Sequence, residues 1–199
     1  GQWYATVHPW EKTMRTLIIA ALLLLHGAAF AQDTSQPALS YTFGEMRYVD
    51  VDVDDGGNGF ELGGSYQFTA NWYGVAGLSL LDFRNSVDVT SFEIGAGYIF
   101  PLQKDWDIHA NARVIRSEVD TRFGSANDTG IGLLGGVRGL LVPGLEIRGN
   151  VHYVNVEESD VFLEFAGDWY ITPQWAAGLS VEFGGDVDLW TIGARYYFK

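Results

Sequence analysis

Apolar and polar residues alternate with a period of two through most of this chain, and that pattern commits each segment to a strand with two unlike faces. Phe60, Leu62, Gly64, Tyr66 and Phe68 share one face, opposite Glu61, Gly63, Ser65, Gln67 and Thr69. The division recurs for Phe92, Ile94, Ala96, Tyr98 and Phe100 against Glu93, Gly95 and Gly97. Trp106, Ile108, Ala110, Ala112 and Val114 likewise oppose His109, Asn111 and Arg113. Further on, Leu145, Ile147, Gly149, Val151 and Tyr153 oppose Glu146, Arg148, Asn150 and His152, and Val161, Leu163, Phe165, Gly167 and Trp169 oppose Glu164, Ala166 and Asp168. Trp175, Ala177, Leu179, Val181 and Phe183 oppose Gly178, Ser180 and Glu182. The stretch 131–141 alternates more weakly, with Arg138 on its polar side, and 39–54 and 72–84 choose no face cleanly.

The chemistry of the two faces decides the solvent. A soluble sandwich or lipocalin-like barrel turns large apolar residues inward and charge outward. Here the charge shares its face with Gly and Ser, the small residues that suit a crowded interior, while Leu, Ile and Phe hold the other face almost alone. That arrangement implies lipid outside. Beyond residue 31 no run reaches 18 apolar residues, so a spanning helix is excluded. A closed sheet is the remaining way to satisfy backbone hydrogen bonds in lipid.

Turns carrying Asn or Pro fall near 69–72, 101–105, 142–145 and 172–174. The connections between them, 54–59, 84–86, 117–128, 157–160 and 184–188, are more polar and mostly acidic. Short periplasmic turns alternating with longer outer loops are the asymmetry of outer-membrane barrels. The spacing predicts an all-β, closed, antiparallel up-and-down transmembrane barrel of ten strands over 39–54, 57–69, 72–84, 88–100, 105–118, 127–141, 145–157, 159–171, 174–184 and 187–199. Eight strands is the alternative, if the first and a neighbour merge or stay outside. An even number sets both chain ends on the periplasmic side. Trp and Tyr favour the membrane interface, and Phe68, Trp72, Phe100, Trp106, Trp169, Trp175, Tyr196 and Phe198 all flank the tight turns or the chain end. They read as a girdle at the periplasmic rim.

Residues 1–13 precede Met14 and read as an upstream, non-native segment. From Met14 the chain runs through Arg15, the apolar stretch 17–25 and the small residues of 27–31, ending Ala29-Phe30-Ala31. This is the pattern of a helical secretory signal peptide over 14–31, cleaved after Ala31, with the barrel domain over 32–199. No Cys occurs, which rules out a disulfide scaffold and a lipidated N-terminal Cys. With 12 Lys and Arg against 25 Asp and Glu, the net charge of −13 excludes nucleic acid, whose phosphates demand cations.

Several segments carry a family likeness. They are the opening Tyr41-Thr42-Phe43-Gly44, the Asp-rich stretch after Val49, the Gly-spaced Phe92-Glu93-Ile94-Gly95-Ala96-Gly97-Tyr98, and the closing Trp190-Thr191-Ile192-Gly193-Ala194-Arg195-Tyr196-Tyr197-Phe198. On these the chain from residue 32 onward resembles the small outer-membrane β-barrel proteins of the OmpA and OmpX type. The resemblance implies a bacterial outer-membrane location, contact with lipid and lipopolysaccharide, a monomer, and a last strand read by the barrel-assembly machinery through a terminal aromatic. Here Phe198 is penultimate and Lys199 last, a departure from that pattern. The shared motifs are generic to barrels and name no activity.

Three arrangements bear on chemistry. Asp50, Asp52 and Asp54 with Glu61 mimic the spacing of an EF-hand loop, but the position that needs Gly is Asp55, no helices flank it, and the spacing follows strand alternation. The expectation is no metal and no cofactor, only loose cation contact at an acidic rim. Glu61, Glu93, Glu146, Glu164, Asp168 and Glu182 with Arg113, Arg138, Arg148 and Arg195 share the polar faces. Buried charges must pair, so these predict an ion-pair network plugging a narrow interior, with a narrow porin-like channel for small solutes as the alternative. His109 and His152 also lie on polar faces, but with no GxSxG-type element or long loop nearby they read as hydrogen-bonded filler and not as catalysts.

Overall fold

The alternating segments all fold as strands, and the two that showed no preferred face fold with them. The computed structural model describes residues 39–52, 56–84, 86–103, 105–184 and 187–198, all within one unit, Gln36–Lys199. The expected signal peptide and its cleavage point, Asp54 and Lys199 lie outside the described residues. The strands are β1 (Phe43–Asp52), β2 (Gly57–Gln67), β3 (Trp72–Phe83), β4 (Val87–Gln103), β5 (Trp106–Thr121), β6 (Gly124–Val142), β7 (Leu145–Asn155), β8 (Ser159–Tyr170), β9 (Trp175–Gly184) and β10 (Val187–Tyr197). Each pairs antiparallel with its neighbours in sequence. β1 pairs with β10 from Phe43↔Tyr197 to Asp52↔Asp188, which closes a ten-stranded barrel and disposes of the eight-stranded alternative.

Because side chains alternate along a strand, the register sorts every residue. Met46, Phe60, Leu80, Phe92, Val114, Leu133, Val151, Leu163, Leu179 and Ile192, one from each strand, are all 46–53% exposed on the outer surface. Arg138, Glu146 and Asp168 are at most 2% exposed within. The outside is greasy and the inside is charged.

β1 shows why its segment resisted reading. Its inward residues are Phe43, Glu45, Arg47, Val49 and Val51, and its outward ones Gly44, Met46, Tyr48, Asp50 and Asp52. Polarity swaps face near Val49, where the outward side chains approach the acidic rim, so the alternation cancels over the whole strand. β3 carries apolar residues on both faces, with Tyr73 and Val75 inside and Leu78 and Leu80 outside.

One expectation about the loops is corrected. Residues 117–128 are not a loop, since β5 and β6 stay in register to Thr121↔Gly124 and turn through Arg122 and Phe123 alone. The connections at both barrel ends are short. The asymmetry resides in strand length: β4, β5 and β6 have 17, 16 and 19 residues, against 10 to 12 in the others. Polar residues continued the strands because Val119 and Ala126 still alternate and pair across the hairpin.

The tight turns have local causes. Thr69 Oγ1 accepts from the backbone N–H of Asn71 and Trp72 at 3.3 and 3.0 Å, and Thr172 Oγ1 accepts from Gln174 and Trp175 at 3.3 and 3.0 Å. Such hydroxyl turns set the chain reversal locally. Gly144 supplies the left-handed residue, φ +83°, of the two-residue Pro143-Gly144 turn.

Beside these turns the outward aromatics gather. Trp72 and Tyr98 rings are 5.0 Å apart, Tyr98 and Phe100 4.6 Å, Trp175 and Tyr196 4.9 Å, and Tyr196 and Phe198 5.1 Å. Phe68, Trp106 and Trp169 also point outward at this end. A second outward group, Tyr48 with Phe60 at 5.6 Å and Trp190 at 6.1 Å, lies towards the other end and was not anticipated.

Candidate functional site

The interior is built from the inward parity of all ten strands. Space for its large side chains comes from facing glycines. A Cβ at Gly97 would collide with the Tyr73 ring, and one at Gly178 with the Asp168 carboxylate.

Glu146 on β7 is the centre of the charged cluster, with no exposed surface. Arg138, its neighbour across the Pro143-Gly144 turn, donates from Nε and Nη2 to its two oxygens at 2.7 and 2.8 Å. Two parallel charge-assisted bonds of this kind are the strong form of the contact. Tyr170 and Tyr197 donate their hydroxyls to Oε2 at 2.9 and 3.1 Å, and Arg148 and Arg195 approach Oε1 at 3.3 and 3.4 Å. Arg148 also donates to Asp168, and Arg195 holds Glu45 through Nε and Nη2 at 3.0 and 2.8 Å. Arg47 completes the cluster, with Glu45 at 2.8 Å and Asp168 at 3.8 Å.

Rings cover the guanidinium groups. The Arg138 Cζ lies 4.5 Å from the Tyr41 ring centre, the Arg195 Cζ lies 4.0 Å from that of Phe43, and the Tyr170 and Tyr197 rings stack at 5.0 Å. Burial removes the water that would otherwise weaken these contacts.

Four arginines and the carboxylates of Glu45, Glu146 and Asp168 thus fill the section of the lumen next to the tight turns. Glu164 borders them, accepting from Asn150 at 2.7 Å, in contact with His152 at 3.0 Å and 3.7 Å from Arg148. Arg113 and Glu93 form a separate pair, with Nη1 at 2.7 and 2.8 Å from both oxygens. Glu61 and Glu182, which sequence reasoning placed in the same network, line the lumen but make no ion pair or hydrogen bond among the described residues.

Sequence reasoning missed Glu45, Arg47, Tyr41, Tyr170 and Tyr197. The local signal for the first two was present, in Glu45 and Arg47 alternating with Met46 and Tyr48, but the swap at Val49 masked it. His109 meets Tyr73 Oη through Nδ1 at 3.3 Å. The partners of His109 and His152, a tyrosine and a carboxylate, supply no set of nucleophile, base and orienting group.

The EF-hand-like spacing does not bring Asp50 and Asp52 to Glu61. Asp50 is opposite Asn58 and points outward with Asp52, whereas Glu61 is opposite Arg47 and points inward, because an odd separation in an antiparallel register puts residues on opposite faces. Among the described residues no group of three or more His, Asp or Glu is placed to hold a metal ion. The outward aspartates belong instead to an acidic row across the strands, in which Asp82 is opposite Asp88 and Asp88 opposite Asp120. A cavity of about 410 Å³ lies inside the barrel against the charged cluster, with Glu61, Glu93 and Glu182 and also Arg47, Arg113 and Arg195 in its walls.

No family model matches the chain, and no curated protein matches it. Among solved structures it is similar to a KdgM porin, at 11% identity over 78% of this chain and 99% of that one, with a TM-score of 0.45. It is also similar to Ail, the attachment invasion locus protein of Yersinia pestis, at 16% identity over 79% and 97%, with a TM-score of 0.41. A third likeness is to the translocator domain of the autotransporter NalP from Neisseria meningitidis, at 9% identity over 98% and 100%, with a TM-score of 0.46. The roles in those names belong to those proteins.

Proposed function

We propose that this chain is an integral protein of the bacterial outer membrane, a non-enzymatic barrel whose lumen is closed by its own side chains and which supports the envelope or its surface contacts. One observation carries the reading: buried charge within and half-exposed Leu, Ile and Phe on all sides. An exposed apolar surface of that extent is tolerated only against another apolar phase. Strands of 10 or more residues cover the hydrocarbon layer when tilted.

The cluster around Glu146 supports closure, because an ion or solute passing it must break contacts that are already satisfied. The acidic outward row at Asp82, Asp88 and Asp120 suits cation-bridged contact with lipopolysaccharide phosphates, and Phe198 near the chain end suits recognition by the assembly machinery. The cavity favours a second reading, a narrow channel for small solutes.

Reconstitution into planar bilayers tests the first reading against the second. A closed lumen gives no stable single-channel steps, and regular steps from the folded protein overturn the plug. Folding is checked on gels: the unheated barrel runs apart from the boiled chain, and identical migration would sink the closed barrel itself.

A further inference from the structure

The charges on the cavity wall are balanced. Five arginines and five glutamates line it among the described residues, so neither sign is in surplus there. Arg113 holds Glu93, Arg47 and Arg195 share Glu45, and Arg148 approaches Glu164. Arg47 also acts on Glu61, directly opposite it, and Arg113 with His152 acts on Glu182. A free cation or anion entering such a space would have to compete for contacts already made, and would be desolvated to do so.

What the wall lacks is uncharged hydrogen bonding. Six buried side-chain atoms on it, in Tyr41, Ser65, His109, Asn111, Arg113 and Asn150, have no hydrogen-bond partner among the described residues. Arg138 stands beside the Tyr41 hydroxyl and Asn150 beside His109, so a small shift within the wall serves those three. Ser65 Oγ, Asn111 Oδ1 and Arg113 Nε remain, the first on a residue only 8% exposed. Asn111 spends its amide N–H on Tyr73 Oη at 3.3 Å, and Arg113 spends Nη1 on Glu93. The unspent groups are thus a hydroxyl that gives or takes, an acceptor and a donor. Buried polar groups are normally satisfied.

These three share one stretch of wall. Ser65, Val75, Gly95 and Arg113 form a single row across β2 to β5, and Asn111 is the next inward residue on β5. The row covers three strand spacings, about 14 Å along the curved wall. Only Val75 and a glycine lie between its polar ends, which leaves a bare strip facing the 410 Å³ cavity. That volume lies within the range of small-molecule sites, roughly 300–1,000 Å³.

We propose that this strip binds a neutral sugar of one or two rings, entering from the end away from the plug. Its hydroxyls donate to Asn111 Oδ1, accept from Arg113 Nε and take either role with Ser65 Oγ, while a C–H face of a ring lies against Val75. A sugar hydroxyl donates and accepts without carrying charge, which matches a wall whose charges are balanced and whose unspent groups are of both kinds. The plug stays closed beneath, so binding and conductance are separate properties.

The test is a saturation-transfer NMR titration of the refolded full chain in a phosphocholine detergent, which carries no sugar of its own. Glucose, mannose, galactose, maltose and sucrose are the probes, with glucuronate and glucosamine as charged analogues. Saturable binding of at least one neutral probe is expected, tighter than that of either charged analogue. Ser65→Ala deletes an oxygen that bonds to nothing in the described protein and should weaken that binding about fivefold, the loss of one neutral hydrogen bond. Ser125→Ala, on the exposed β5–β6 hairpin, should leave the affinity unchanged, and separate gel migration of unheated samples shows that each variant is folded. The proposal is overturned if no neutral probe gives saturable transfer, which would leave water to satisfy these atoms, or if glucuronate or glucosamine binds more tightly than every neutral probe. It is equally overturned if Ser65→Ala binds as the parent does, or if Ser125→Ala weakens binding as much as Ser65→Ala. Planar-bilayer conductance reads the plug alone, so failure here leaves that result untouched.

Discussion

Replacing Glu146 with Leu removes the acceptor at the centre of the plug while keeping most of its volume. Arg148 and Arg195 retain Asp168, and Arg195 also retains Glu45. Arg138 is different: it is 2% exposed, and Glu146 is its one ion-pair partner among the described residues. Leaving such a charge buried and unpaired costs about 3–5 kcal/mol. With a urea dependence of about 2 kcal/mol/M, the unfolding midpoint should fall by about 2 M. Adding Arg138→Met should recover most of the loss, since an apolar pair of similar volume is close to neutral there. What remains is about 1 kcal/mol for each of the Tyr170 and Tyr197 hydroxyls that lose their acceptor. Urea titration in lipid–detergent micelles, followed by Trp fluorescence and by the unheated gel band, measures all three variants. A loss below about 1 kcal/mol for Glu146→Leu, or a double variant costing the sum of its singles, refutes the claim that this pair is buried and interdependent.

Phe165, 57% exposed at the middle of β8, should tolerate Arg poorly, at about 2–4 kcal/mol if it faces lipid; a near-neutral result in reconstituted vesicles would point to water outside. Gly97→Ala drives a methyl into the Tyr73 ring and should cost about 1–3 kcal/mol, whereas Gly135→Ala, with nothing within 4 Å, should not. Equal unfolding midpoints for the two would show that Tyr73 moves aside freely. Asp88→Asn relieves a carboxylate held between Asp82 and Asp120 and should stabilise by about 0.5 kcal/mol at low salt. That gain should shrink at high ionic strength, and a gain independent of salt argues against repulsion as its origin.

Much of the fold was legible because strand alternation is a one-dimensional signal. Phe60 to Phe68 and Val161 to Trp169 report their faces without any knowledge of neighbouring strands, and Trp72, Trp106 and Trp175 mark three of the four tight turns at one end of the barrel. The β5–β6 hairpin misled, because a run of polar residues reads as loop whether or not it is hydrogen-bonded across to a partner. β1 misled for the opposite reason, its face reversing polarity at the rim.

Alternation along the chain therefore settled the fold class and the faces of most strands, each being a property of a residue and its near neighbours, whereas ten strands rather than eight was decided by the pairing of β1 with β10. Which charges meet was decided only by closure and register. Arg195 reaches Glu45 across 150 positions because β10 closes on β1, and Arg47 lies opposite Glu61 yet turns to Glu45. An inward carboxylate looks the same in sequence whether it is held by an arginine, as Glu146 is, or left facing a cavity, as Glu61 and Glu182 are. The difference is where the guanidinium groups of other strands come to rest, and packing alone fixes that.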